Sequence, residues 1–369
     1  MSKFTDFFKF SIKDVQEIEP GFYTSHDLMH GETPYRLHLR VEPNHQGLLT
    51  LNASTVLHLN KTAMEMAYFL IKGQNPSEIA KSISQRYKAP KDEIKRDVDS
   101  FYETLTGFIF HEDLPPTTIL GQIENPEQSD IVAPYRLDCY FSPTTERSIL
   151  NTAEWKIVFE KAFNAGIPHV MLVDVHDAFV DELPDLLRHI EELGLVSGLV
   201  TDLSEPKNDA FIDEILACGL DHLLIDADPR DQENLAQIWH ILSKDIFTCL
   251  RMPFDAAFDY SKIMQELFAQ GINAFAFSNI QDELDINFLE LQALISEHGI
   301  SIVDDMPQPR LADELKIPFP TNNKTNLKYL ALLPNGDLLI PSDKPITIGN
   351  LLQEDWNILW AKCQDYSHG

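Results

Sequence analysis

The chain has 369 residues, 44% of them hydrophobic and 24% charged, enough for two or three packed domains. Its formal charge is −29, and unevenly spread: 13 basic and 19 acidic residues up to position 130, then 16 and 39. Such a surface repels phosphate backbones and anionic lipid, which argues against nucleic acid and membrane as partners, though it also serves plain solubility.

The start, MSKFTDFFKFS, breaks its apolar residues with Asp6 and Lys9, so it does not read as a signal peptide. Residues 1–33 read as irregular, punctuated by Pro20-Gly21 and Gly31. Three short strands follow at 35–41, Gly47–Leu51 and Thr55–Leu59, supported by β-branched residues and turn punctuation. Three helices come next, at 62–72, 77–87 and 91–108. Asn75 and Pro76 suit the start of the second, and Ile94, Val98, Phe101, Leu105 and Phe108 form an apolar stripe on the third. Residues 111–133, with Pro115-Pro116 and Pro126, read as a linker.

From Pro134 the rhythm changes to alternating strands and helices. The strands are expected at 135–141, His169–Val173, 195–200, 222–225, 246–250, 274–277 and 300–303. The helices between them are expected near 153–165, 181–193, 208–218, 232–243, 256–270 and 284–298. That alternation implies a parallel sheet with right-handed crossovers, and ligands at the carboxyl ends of its strands. The last segment departs from it: Tyr329–Leu332 and 338–340 form a hairpin around Asn335-Gly336, followed by a helix at 353–362. Cys139, Cys218, Cys249 and Cys363 are far apart, so neither a CxxC pair nor a disulfide framework is present. A reducing compartment is implied, and with no apolar stretch near ~20 residues the expected location is cytoplasmic.

The stretch GLLTLNASTVLHLNKTAMEMAYFLIKGQNPSEIAKSISQRYKAPKDEIKRDVDSFYETL resembles the PqqD family, the leader-peptide recognition element of ribosomal peptide modification. The resemblance implies a winged-helix-like domain at 33–109. It implies that a peptide adds as a strand beside Thr55, Val56, Leu57, His58 and Leu59. The groove wall would be Asp97, Phe101, Tyr102 and Leu105 of the third helix. Edge N–H and C=O groups would give affinity and side-chain pockets specificity. Phe101 and Leu105 also fit a plain core stripe. A DNA-binding winged helix is disfavoured, because Lys91, Lys95 and Arg96 are offset by Asp92, Glu93, Asp97 and Asp99.

Residues 134–369 resemble the radical S-adenosylmethionine (SAM) fold with a remnant of a SPASM-type extension. APYRLDCYF matches its first strand, and LALLPNGDLLIPSDKPITIGNLLQEDWNILW matches the extension. The resemblance implies an α/β chain: a partial (β/α) barrel at 134–307, after a linker at 110–133, and a small hairpin-helix extension at 308–369. The departures are chemical. Where the family places three cysteines, this chain has Ser142-Pro143-Thr144-Thr145-Glu146-Arg147-Ser148. Asp174-Val175-His176-Asp177 replaces the Gly-Gly-Glu-Pro step, and Ser342 stands where the extension has a cysteine. An iron–sulfur cluster needs gathered thiolates. The expectation is therefore a pseudoenzyme with no catalytic residues, cofactor or metal. It would be a peptide-binding accessory or scaffold whose partners are a leader or precursor peptide and an intact radical SAM enzyme.

The alternative is a barrel enzyme that binds SAM, or a divalent metal held by strand-end residues: Asp174, His176, Asp177, Asp202, Asp226, Asp228, Asp304 and Asp305. Those acids also suit helix N-caps, Asp202 and Asp228 most clearly. Arg251, at a strand end, suits a carboxylate ligand or a neighbouring Asp. His45, His58 and His111 read as isolated.

Overall fold

The computed structural model describes residues 11–12, 17–31, 33–51, 55–110, 133–141, 149–173, 181–203, 209–244, 246–278, 280, 285–303, 327–341 and 345–368. The chain divides into two compact units, 1–132 and 133–369. It is mixed α/β.

Unit 1 carries β1 (Ser11–Ile12), β2 (Gly21–His30), β3 (Thr33–Val41), β4 (Gly47–Leu51) and β5 (Thr55–Leu59). Then come α1 (Lys61–Ile71), α2 (Pro76–Arg86), β6 (Tyr87–Lys88) and α3 (Lys91–Phe110). The main sheet is antiparallel in the order β2-β3-β4-β5, so β5 closes one side and β2 the other. The N-terminal segment is therefore not irregular throughout. GFYTSHDLMH runs as a ten-residue strand on β3, with a register shift between Ser25 and Leu28. Its polar and apolar residues do not alternate, so its backbone pairing left no period-2 signal.

The helices start where their caps place them. Asn60 accepts from the Ala63 N–H at the head of α1. Asn75 and Glu78 close a reciprocal capping box on α2, with Pro76 at the first helical position. The core is one cluster of sheet and helix residues, including Leu37, Leu49, Met66, Ile83, Ile94, Val98, Phe101 and Leu105. Beside it, Arg86 makes a two-pronged bond to the buried Glu65, at 2.8 and 3.0 Å.

Unit 2 opens with six strand–helix steps. These are β7 (Arg136–Tyr140) and α4 (Thr152–Ala165), β8 (His169–Val173) and α5 (Leu183–Leu193), β9 (Val196–Thr201) and α6 (Asp209–Ala217). They continue with β10 (His222–Asp226) and α7 (Gln232–Leu242), β11 (Phe247–Pro253) and α8 (Ser261–Ala269), β12 (Ala274–Ser278) and α9 (Ile286–Glu297). After them come β13 (Ser301–Ile302), β14 (Tyr329–Leu332), β15 (Asp337–Ile340), β16 (Ile346–Asn350) and α10 (Trp356–His368). The sheet order is β13-β12-β11-β10-β9-β8-β7-β14-β15-β16. Strands β7 to β13 are parallel, β14 joins β7 in parallel, and β15 and β16 return antiparallel.

Asn151 and Glu154 box the start of α4. Gly166 and Gly194, at φ 82° and 80°, end α4 and α5 in the left-handed conformation that glycine adopts without strain. The expected cap Asp228 does not cap a helix, and residues 204–208, which follow Asp202 and Leu203, lie outside the described residues. Asp231 caps α7, accepting from the Glu233 and Asn234 N–H groups, while Asp228 accepts from the Arg230 N–H and side chain. The Pro229-Arg230 turn delays the helix start by three residues. The hairpin is extended by a third strand, β16, which the sequence pattern does not mark. Gly349 is required there, since a Cβ would collide with the Glu354 carboxylate and Leu359.

Candidate functional site

The expected peptide edge, β5, pairs with β4 in register from Thr55↔Leu51 to Leu59↔Gly47 and ends the strand order. Leu57 and Leu59 are buried in the unit's core and His58 is half-buried. The side chains of Thr55 and Val56 lie outside the described residues. The expected groove wall separates into two kinds of residue. Phe101 and Leu105 are 4% and 1% exposed and belong to the core cluster, while Asp97 and Tyr102 are only partly buried.

Five residues at 100° per step put Asp97 and Tyr102 on opposite flanks of α3. The structure places Tyr102 against β2 and β3. Its hydroxyl is 3.3 Å from His30 Nδ1 and hydrogen-bonds the Tyr35 hydroxyl, whose pKa burial pushes up. On the other flank, burial and then the neighbouring Glu93 raise the Asp97 carboxyl above its ordinary value. A desolvated carboxylate gains from an incoming cation or hydrogen-bond donor.

In unit 2 one face of the sheet is read off by alternation. Tyr140, Met171, Val173, Val200, Leu224, Cys249 and Ala276 pack on it as one cluster. Polar residues mark both ends of that face. At the carboxyl ends of the strands, Arg251 pairs across β11 and β10 with Asp226 at 3.2 Å; Arg251 is 1% exposed. This is the carboxylate partner expected for Arg251, and it commits Asp226. Asp228 is committed to Arg230, which holds its carboxyl below the ordinary value and in turn reaches Asp255. Asp174, His176, Asp177, Asp304, Asp305, His111, Ser342, the 142–148 loop and nearly all of the expected linker lie outside the described residues. Among the described residues no three His, Cys, Asp or Glu side chains gather as a metal site.

At the amino ends of the strands, Arg136 grips Asp138 with two bonds of 2.6 and 3.2 Å and lies 4.4 Å over the Tyr329 ring. His169 and His222 meet edge to face with centroids 4.8 Å apart, and His222 Nε2 is 3.2 Å from Met171 Sδ. Nothing in the sequence marked this cluster, because its members are far apart and only the parallel register assembles them.

The cysteines do not fit a [4Fe–4S] cluster. Cys139 lies in β7, Cys218 just after α6, Cys249 in β11 and Cys363 in α10, and all four are buried. Burial pushes the Cys139 thiol well up and the Cys363 thiol to about 12, so both stay protonated at neutral pH. A cluster requires several thiolates at one point.

Residues 45–107 match the family described as coenzyme PQQ synthesis protein D, PqqD. Residues 45–107 are a PqqD domain. Its match spans β4, β5 and α1 to α3. A PqqA peptide cyclase of Xanthomonas campestris pv. campestris (strain B100) is 29% identical over 101 residues, 27% of this chain and 27% of that protein. The chain thus aligns with about a quarter of that relative's length. Among solved structures, Streptococcus suis SuiB matches with a TM-score of 0.55 at 10% identity, covering 94% of this chain and 89% of SuiB. SuiB bound to its precursor peptide SuiA matches with a TM-score of 0.55 at 11% identity, covering 92% and 88%. At these identities the likeness shows the fold alone, across the PqqD domain and the strand–helix unit after it. Among the described residues no helix is long and apolar enough to cross a membrane.

Proposed function

We propose that the chain is a non-catalytic, peptide-binding accessory or scaffold protein in ribosomal peptide modification, acting in the cytoplasm. The observation that carries this reading is the PqqD domain with β5 at the end of its sheet. A leader or precursor peptide adds to β5 by main-chain hydrogen bonds, and the half-buried Asp97 reads its side chains. Residues 33–109 act as the winged-helix-like reader and 110–133 as a linker. Residues 134–307 act as a partial barrel of radical SAM type and 308–369 as a degenerate SPASM-like extension. The loss of gathered thiols supports a silent barrel that presents the peptide to an intact radical SAM enzyme.

The test is titration of the full chain with a labelled precursor peptide encoded beside its gene. Saturable binding is expected, weakened at least tenfold, about 1.4 kcal/mol, by Asp97→Ala or by Val56→Pro, which disturbs the main-chain pairing of the edge strand. No binding, or binding blind to both changes, sinks the peptide half. Iron with labile sulfide in protein purified without air sinks the non-catalytic half.

A further inference from the structure

The cluster at the amino ends of the parallel strands lies in unit 2, outside the PqqD domain. Its geometry comes from register. Met171 on β8, Gly198 on β9 and His222 on β10 stand in one row across the sheet. Two side chains two strands apart ordinarily have a third between them. Here the middle position is glycine, and a Cβ built on Gly198 would overlap both Met171 Sδ and His222 Nε2. The gap lets sulfur and nitrogen approach to 3.2 Å. One layer nearer the amino ends, His169 brings a second imidazole to His222, with ring centroids 4.8 Å apart. His169 Nε2 is buried without a hydrogen-bond partner, an arrangement that costs free energy unless something else engages that lone pair or proton.

We propose that His169, His222 and Met171 form a binding site for a soft metal ion, monovalent copper, at the amino-terminal end of the parallel sheet.

Two imidazoles and a thioether are a soft ligand set, which selects Cu(I) over the hard divalent cations. The 3.2 Å between His222 Nε2 and Met171 Sδ suits two donors sharing one ion. With metal–nitrogen near ~2.0 Å and metal–sulfur near ~2.3 Å, it corresponds to an angle of roughly 95°. The positive charge of Arg136 is answered by its bond to Asp138. Met171 is fully buried, whereas His169 and His222 are partly exposed.

The test is an anaerobic titration of the full chain with Cu(I) buffered by bicinchoninate, read with X-ray absorption. One equivalent is expected to bind, with two nitrogen neighbours and one sulfur neighbour. Met171→Leu, a volume-conserving change, removes the sulfur signal and weakens binding at least tenfold. His222→Gln weakens it further, while His298→Gln on α9 leaves it unchanged. Gly198→Ala closes the gap and abolishes binding; if that variant does not fold, Met171→Leu still decides. Absence of stoichiometric binding overturns the proposal. So does binding that Met171→Leu leaves intact, or a site that takes Zn(II) more tightly than Cu(I).

Discussion

Unit 1 and unit 2 have kept different things. In unit 1 the sequence profile and the strand order agree, and β5 ends the described sheet, where the proposed peptide strand would ask only for backbone groups and a few pockets. In unit 2 the fold matches SuiB across most of both chains, yet no cysteine stands at 142–148. A cluster asks for a few thiols at fixed positions, while a sheet is held by many apolar residues together. A fold is therefore a poor guide to chemistry when ligands are few and replaceable, and a better one when the backbone is the ligand.

All four tryptophans, Trp155, Trp239, Trp356 and Trp360, fall in unit 2, so their fluorescence reports that unit alone. Trp155 is fully buried and stacks on Phe141 at 4.2 Å. Trp155→Ala is expected to cost unit 2 about 3–5 kcal/mol and to leave peptide titration on unit 1 unchanged. Loss of peptide binding in that folded variant would break the separation of the two units.

The converse is Arg86→Met, which strands the buried Glu65 and costs unit 1 roughly 3 kcal/mol in circular-dichroism melts, with no change in tryptophan emission. A smaller effect comes from pH. His222 titrates near about 4 and His169 also well below its ordinary value, chiefly through burial; Arg136 and, for His169, His222 add to it. The unfolded chain takes up these protons near pH 6.5, before the folded one does, so stability rises with pH across that window. Urea unfolding followed by tryptophan emission should show unit 2 losing on the order of 2 kcal/mol between pH 7 and pH 4. A flat profile would mean that the imidazoles are solvated. The smallest change is Asp97→Asn, which relieves a desolvated carboxylate and stabilises unit 1 by about 0.5 kcal/mol while weakening peptide binding. Stability and binding moving together instead would make Asp97 a structural residue.

The alternation of strands and helices from 134 onward is legible in the sequence because each element carries its own period and its own caps, as at Asn151 and Gly166. Strand β2 is not, because an edge held by main-chain bonds needs no alternating side chains. Asp228 misleads because a carboxylate before Pro serves a turn as readily as a helix. Phe101 and Leu105 can be placed on one helical stripe but not assigned between core and groove, which only packing decides. The Met171–Gly198–His222 row lies beyond any sequence pattern, since it exists only through the pairing of β8, β9 and β10.

The pairing of β14 with β7 sets an order of events during synthesis. Leu137 on the first strand of unit 2 meets Leu330, and Lys161 Nζ on α4 donates to the carbonyls of Leu351, Leu352 and Glu354. As the chain emerges from the ribosome, unit 1 can close at once. Strand β7 must leave one main-chain edge without β14 until nearly two hundred further residues have been made. Such a long-range closure is slow and exposes a sticky edge in the meantime. The nascent chain is thus most in need of a chaperone between the completion of β8 and the arrival of β14.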